Sequence, residues 1–84
     1  MHRIEILPSA LRELEHVPIA ARRRVAQAID RLAADPRARG VTKLRGSENV
    51  WRTRAGEYRV LYQIDDEGAR ILVIKIGHRR DIYR

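Results

Sequence analysis

The chain has no cysteine, which excludes a disulfide framework, a thiolate zinc site and a cysteine nucleophile. Long apolar runs are also missing. The longest, Ile71 to Ile74, falls far short of the roughly 20 residues that cross a bilayer, and the start, MHRIEIL, has no apolar stretch behind its charges. These features point to a soluble cytoplasmic protein without a membrane partner. No carboxylate stands at ligand spacing to His16, and His2 and His78 are far apart in sequence, so neither a metal nor a cofactor is expected. There is no Gly-rich phosphate loop and no Ser-His-Asp order. Acidic residues are scarce, 11 against 18 Lys+Arg, for a formal charge of +7. Nearly all the cations are arginine, whose planar fork suits phosphate, so the implied partner is nucleic acid or an acidic protein. Nothing repeats, no tract is of low complexity and no linker is visible. The 84 residues are therefore expected to form one small domain, burying about 60% of the surface its unfolded chain exposes.

Trp51 to Gly77 carries the strongest pattern. Tyr58, Val60, Tyr62 and Ile64 alternate with Arg59, Leu61 and Gln63, the period of a strand with one apolar face. A second run, Ile71 to Ile76, follows an acidic, Gly-containing break that reads as a hairpin turn. Taking Ala55-Gly56 as a two-residue loop places Arg52 opposite Arg59. A five-residue loop, Asp65 to Ala69, then pairs Leu61 with Val73 and Arg59 with Lys75. In this register Arg52, Arg54, Arg59 and Lys75 share one face, and Tyr58, Val60, Tyr62, Leu72, Ile74 and Ile76 share the other. Like charges set opposite one another cost about 0.2 to 1 kcal/mol per pair, a cost that a polyanion laid across them would turn into affinity.

Upstream, residues 2 to 7 alternate as a first strand that needs the meander as its partner. Pro8-Ser9 starts a short helix striped by Leu11 and Leu14 and broken at Pro18. A second helix carries Val25, Ile29 and Leu32 and stops at Asp35-Pro36. Residues 37 to 49 have no period and read as a loop. The expected architecture is α+β, in the order β-α-α-β-β-β, with a helical hairpin packed on a twisted, mainly antiparallel sheet.

The row Arg52, Arg54, Arg59 and Lys75 reads either as a solvated outer sheet face or as a groove gripping a phosphate backbone, its guanidiniums neutralising charge that develops at phosphorus. Leu61 and Val73 among the cations favour the groove. The end of the chain, from Gly77 to Arg84, concentrates His78, Arg79, Arg80 and Tyr83. Histidine is the side chain suited to moving a proton near neutrality, and a tyrosine can stack on a base or pack on the sheet edge. Arg22 and Arg23 lie on the second helix, where Arg23 points away from the apolar stripe; a solvated face explains them, and contact with structured RNA is the alternative.

The segments Lys43-Leu44-Arg45-Gly46, Trp51-Arg52-Thr53-Arg54, Glu57-Tyr58-Arg59-Val60-Leu61-Tyr62 and Ile76-Gly77-His78-Arg79-Arg80, with Tyr83, resemble the RelE/ParE superfamily of bacterial toxins over nearly the whole chain. RelE-type members are ribosome-dependent endonucleases that cut mRNA in the A site without metal, by attack of the ribose 2′-hydroxyl on the adjacent phosphate. ParE-type members share the fold and inhibit DNA gyrase. The resemblance puts Arg52 and Arg54 at catalytic lysine positions, Arg59 and Arg79 at catalytic arginine positions and Tyr83 near a base-stacking tyrosine, with His78 as the proton-transfer group. Lys43, Arg45, Lys75, Arg80, Arg22 and Arg23 are the expected RNA-binding cations. It also implies a cognate antitoxin as partner, the 70S ribosome and mRNA as target, and binding of the toxin–antitoxin complex to its own operator DNA through the antitoxin. An arginine holds its proton too tightly to serve as a base, so the two lysine-to-arginine departures leave the general base unassigned. The alternative is a gyrase inhibitor, or an inactive antitoxin-binding member of the fold.

Overall fold

Pro8 sets where the first strand stops. Lacking a backbone N–H, it cannot extend a ladder, but at the first position of a helix that donor is not needed. In a computed structural model, which describes residues 1–82, β1 (Arg3–Ile6) accordingly gives way to α1 (Pro8–His16). Pro18 then occupies the N-cap of α2 (Ile19–Ala34), which buries Val25, Ala28, Ile29 and Leu32. Pro36 disfavours helical geometry at Asp35, where α2 ends. The two helices are tied at their junction by Arg22, whose Nη2 donates to Glu15 O at 2.7 Å and Val17 O at 3.1 Å, using carbonyls that the end of α1 leaves open.

The rest is sheet: β2 (Thr42–Lys43), β3 (Trp51–Ala55), β4 (Tyr58–Asp65) and β5 (Arg70–His78). With β1 they form a five-stranded sheet in the order β1-β5-β4-β3-β2, antiparallel except for the β1–β5 pair. The two-residue strand β2, within the segment expected to be loop, has no sequence period to reveal it. The helices cover one face. There Val60, Tyr62, Ile64, Ile71, Val73 and Ile76 meet Ala10, Val17, Val25, Ile29 and Leu32.

The register differs from the one expected, for two local reasons. The β3–β4 loop is Gly56-Glu57, not Ala55-Gly56. Gly56 leads it with φ +62°, a conformation costly for alanine and normal for glycine at the first position of a tight hairpin turn. Arg54 therefore opposes Arg59, and Arg52 opposes Leu61. The β4–β5 loop is one residue shorter than expected, because Asp65 pairs with Arg70, and a β-bulge opposite Leu61 and Tyr62 inserts one further residue into β5. Lys75 thus faces Leu61, and Arg59 faces Gly77. Leu72, expected in the core, pairs with Gln63 on the uncovered face, while Val73, expected between the cations, pairs with Tyr62 and faces inward with Ile71 and Ile76.

One buried phenol ties the helix layer's exit to the sheet. Tyr62 is fully buried and its hydroxyl donates to Pro36 O at 2.7 Å. The next residue, Arg37, makes a two-pronged bond to Asp66 in the β4–β5 turn, at 3.2 and 2.9 Å, and lies 5.3 Å from the Trp51 ring centroid. Arg37, and to a lesser extent His2, holds the Asp66 carboxyl below its ordinary range. Burial, opposed by the charge of Arg37, pushes the Tyr62 phenol up to about 12. A phenol whose folded value exceeds its unfolded one contributes stability that is complete below about pH 10 and is lost as pH rises through the folded value. Denaturant melts from pH 8 to 12 should therefore show the wild-type chain losing more stability above pH 10 than Tyr62→Phe, which itself costs about 1 kcal/mol at neutral pH by removing the donor to Pro36. Parallel pH curves would contradict this assignment.

Candidate nucleic-acid interface

Residues paired across a sheet share a face. The register places Arg52, Arg54, Arg59 and Lys75 together on the face that no helix covers, with Leu61 in their midst. Leu61 is only 7% exposed although it stands outside the main core cluster. Its cross-strand neighbours are Arg52 and Lys75, and the aliphatic stems of such side chains cover apolar surface while their heads stay in water. Arg54 directly opposite Arg59 sets like charges side by side. Arg59 is steadied by Nη1 bonds of 3.2 Å to Gly56 O and Tyr58 O. At the other end of this face the acids gather around Arg70, with Glu5 and Asp65 each 3.5 Å away. The face is thus polarised, cationic toward the β3–β4 turn.

The chain beyond β5 folds back over that cationic end. Asp81 N and Ile82 N both donate to His78 O, at 2.9 and 3.0 Å. Ile82 is buried against Gly77, where an added Cβ would stand 3.1 Å from its Cδ1. Arg79 is held at the rim: its backbone N–H donates to Glu57 O at 2.8 Å, and its guanidinium ion-pairs with the Glu57 carboxylate, Nε standing 2.7 Å from Oε2. His78 lies on the helix-side face, paired with Tyr58 and edge-on to its ring at 5.5 Å, so it reaches the arginines only at the rim. Its Nδ1 accepts from Arg80 N–H at 3.2 Å, so the neutral ring carries its proton on Nε2. That nitrogen stands 4.0 Å from Glu57 Oε2.

His78 and Tyr58 also line an open groove of about 470 Å³ between α1 and the end of β5, together with Arg12, Glu13, His16 and Asp81. The other candidate cations are dispersed. Lys43 lies over the Trp51 ring at 5.8 Å, on the helix side of the sheet. Arg45 and Arg80 are exposed in turns, and Arg23 is exposed on α2, the layer opposite the cationic face. Tyr83 lies outside the described residues. Among the described residues, no cluster of three His, Asp or Glu side chains could hold a metal ion, and no helix is long and apolar enough to cross a membrane. Glu57 was not among the candidates read from the sequence. The signal that could have found it is the hairpin itself, which sets the turn acid next to whatever follows β5.

The sequence profile described as ParE toxin of type II toxin-antitoxin system, parDE, matches residues 4–83. The chain belongs to this toxin family. Toxin RelG of Mycobacterium tuberculosis is 32% identical over 82 residues, covering 96% of this chain and 94% of the relative. Among solved structures, an archaeal RelE–RelB complex from Pyrococcus horikoshii superposes with a TM-score of 0.82 at 29% identity, covering 95% of this chain and 97% of that one. The RelBE2 toxin–antitoxin complex of Mycobacterium tuberculosis gives 0.81 at 28% identity, covering 93% and 98%. The ParE-family chain thus has the two-helix, five-strand frame of RelE toxins, and its cationic face is the uncovered side of that frame.

Arg22, grouped with the candidate RNA contacts, instead caps α1, and its buried Nε has no hydrogen-bond partner among the described residues. Arg22→Ala should cost about 1–3 kcal/mol of stability, as loss of charge-assisted bonds to backbone does. Arg23→Ala, on an exposed helix face, should stay within about 0.5 kcal/mol. Urea melts of the two variants check the contrast; equal stabilities would contradict the capping role.

Proposed function

We propose that this toxin is a ribosome-dependent mRNA endonuclease that arrests translation by metal-independent cleavage in the A site. The observation that carries this reading is the set Arg52, Arg54, Arg59 and Lys75 on an uncovered sheet face, with Arg79 at its rim. In the proposed reaction the ribose 2′-oxygen forms a bond to the adjacent phosphorus as the bond to the 5′-oxygen breaks, leaving a cyclic phosphate and a free 5′-hydroxyl. The guanidiniums of Arg52, Arg54, Arg59 and Arg79 stabilise the charge that builds on phosphorus and on the attacking oxygen. His78, once protonated on both ring nitrogens, supplies through Nε2 the proton that the leaving 5′-oxygen takes, and the proton of the 2′-hydroxyl passes to solvent water. Tyr83 orients the base, and Lys43, Arg45, Arg80 and Arg23 add long-range attraction to ribosomal and messenger RNA. The enzyme acts in the cytoplasm and needs no cofactor.

The same basic surface calls for a cognate antitoxin, an acidic or amphipathic segment that folds across it. The relatives solved as RelE–RelB complexes support that partner. Through the antitoxin the complex binds its own operator DNA. A second reading, inhibition of DNA gyrase, is favoured by one observation: Arg52 and Arg54 are fixed cations that cannot accept the 2′-hydroxyl proton.

Primer extension on mRNA from expressing cells separates the two. Discrete cuts within translated frames support the nuclease, whereas intact transcripts accompanied by DNA breaks support the gyrase class. In a reconstituted ribosome assay Arg59→Ala and Arg79→Ala should each slow cleavage by about 10²–10³-fold, as removal of one transition-state donor does elsewhere. Undiminished cutting by either variant would remove the mechanism.

A further inference from the structure

The β3–β4 turn holds the two halves of the candidate site together. Its Gly56 carbonyl accepts from Arg59 on the cationic face, while the Glu57 carbonyl accepts from the Arg79 backbone N–H and the Glu57 carboxylate ion-pairs with the Arg79 guanidinium; the neighbouring His78 Nε2 stands 4.0 Å from the same carboxylate oxygen. Arg24 of α2 lies alongside the turn, its Nη1 3.0 Å from where a Cβ on Gly56 would stand.

Electrostatic logic makes this carboxylate unexpected. A protein with a net charge of +7 that grips a polyanion gains nothing in affinity from an acid beside its arginines. Stability does not explain it either. The Glu57 and Arg79 side chains are 61% and 51% exposed, and an ion pair so exposed to water adds little to stability. What the contact does supply is geometry. The nearest approach of the two side chains is Arg79 Nε to Glu57 Oε2, at 2.7 Å, so the ion pair ties the orientation of the planar guanidinium to the turn.

We propose that Glu57 is a positioning residue for phosphodiester cleavage: its carboxylate aims Arg79, and with it the His78 edge, at the scissile phosphate beside Arg59. The inference rests on the nuclease reading. The alternative role, general base, fits less well, because a carboxylate 4.0 Å from the proposed acid leaves little room for an in-line phosphorane between them.

Single-turnover cleavage of ribosome-bound mRNA by Glu57→Gln tests this. The substitution removes one negative charge, so charge alone predicts tighter RNA binding and undiminished cutting. Positioning predicts a fall in the cleavage rate between about 10- and 100-fold with no loss of ribosome affinity, partial recovery in Glu57→Asp, and no further loss when Glu57→Gln is added to Arg79→Ala. The Arg79 Nε–H resonance should change position between the wild-type chain and Glu57→Gln, which removes the ion pair, while the amide spectrum keeps its folded dispersion. Wild-type cleavage matched by Glu57→Gln, or an additive loss in the Arg79→Ala background, overturns the inference and leaves the nuclease reading standing. Failure of the wild-type chain to cut translated mRNA overturns the nuclease reading, and this inference with it.

Discussion

A single inserted residue in β5 keeps cations and core on their proper sides of the sheet. Without the bulge opposite Leu61 and Tyr62, the pairing that starts at Asp65 and Arg70 would run on to set Lys75 against Val60. Val60 is fully buried, and an ammonium there would lose its hydration without a partner. The bulge turns Lys75 to the uncovered face beside Leu61 and brings Ile76 inward against the helices. Two demands, a continuous apolar core and a continuous basic row, are met along one strand because the ladder is allowed to slip once.

The two faces then have different physics. The helix side is held by apolar burial, sealed at its margin by the Tyr62 bond to Pro36 and the Arg37–Asp66 contact. The other side carries repulsion: Arg54 against Arg59 in register, with acids drawn off to Arg70 at the far end. That separation follows from a sheet with only two helices to cover it.

Much of this was legible in the sequence because it depends on period alone. The alternation from Tyr58 to Ile64 fixes which β4 residues face inward, and the prolines at 8, 18 and 36 punctuate the helices. The faces assigned to Arg52, Arg54, Arg59 and Lys75 were correct even though their partners were not. Cross-strand pairing depends on which residue leads the turn, and Ala55-Gly56 and Gly56-Glu57 are both short enough; only the positive φ at Gly56 decides. The bulge has no sequence signature at Ile74 or Lys75. Arg22 and Arg23 are adjacent in sequence yet one caps a helix and the other faces solvent, a difference set by the Pro18 junction that brings Glu15 O within reach. His78 was legible only as part of the basic segment that ends the chain; the face it takes follows from strand parity, which sends its ring to Tyr58.

β1 stops at Ile6, four residues after His2, so the second half of β5 has no strand beside it on that side. The amide of Ile76 is answered there by a helix side chain, Glu13 Oε1 at 3.1 Å. α1 thereby completes the sheet's ladder as well as its core, and it cannot lift away without uncovering a backbone donor in the middle of the strand that leads to His78 and Arg79. Solvent exchange at that one amide thus follows the breathing of the first helix, so a motion in the helical layer is coupled to the strand that carries the rim of the basic face.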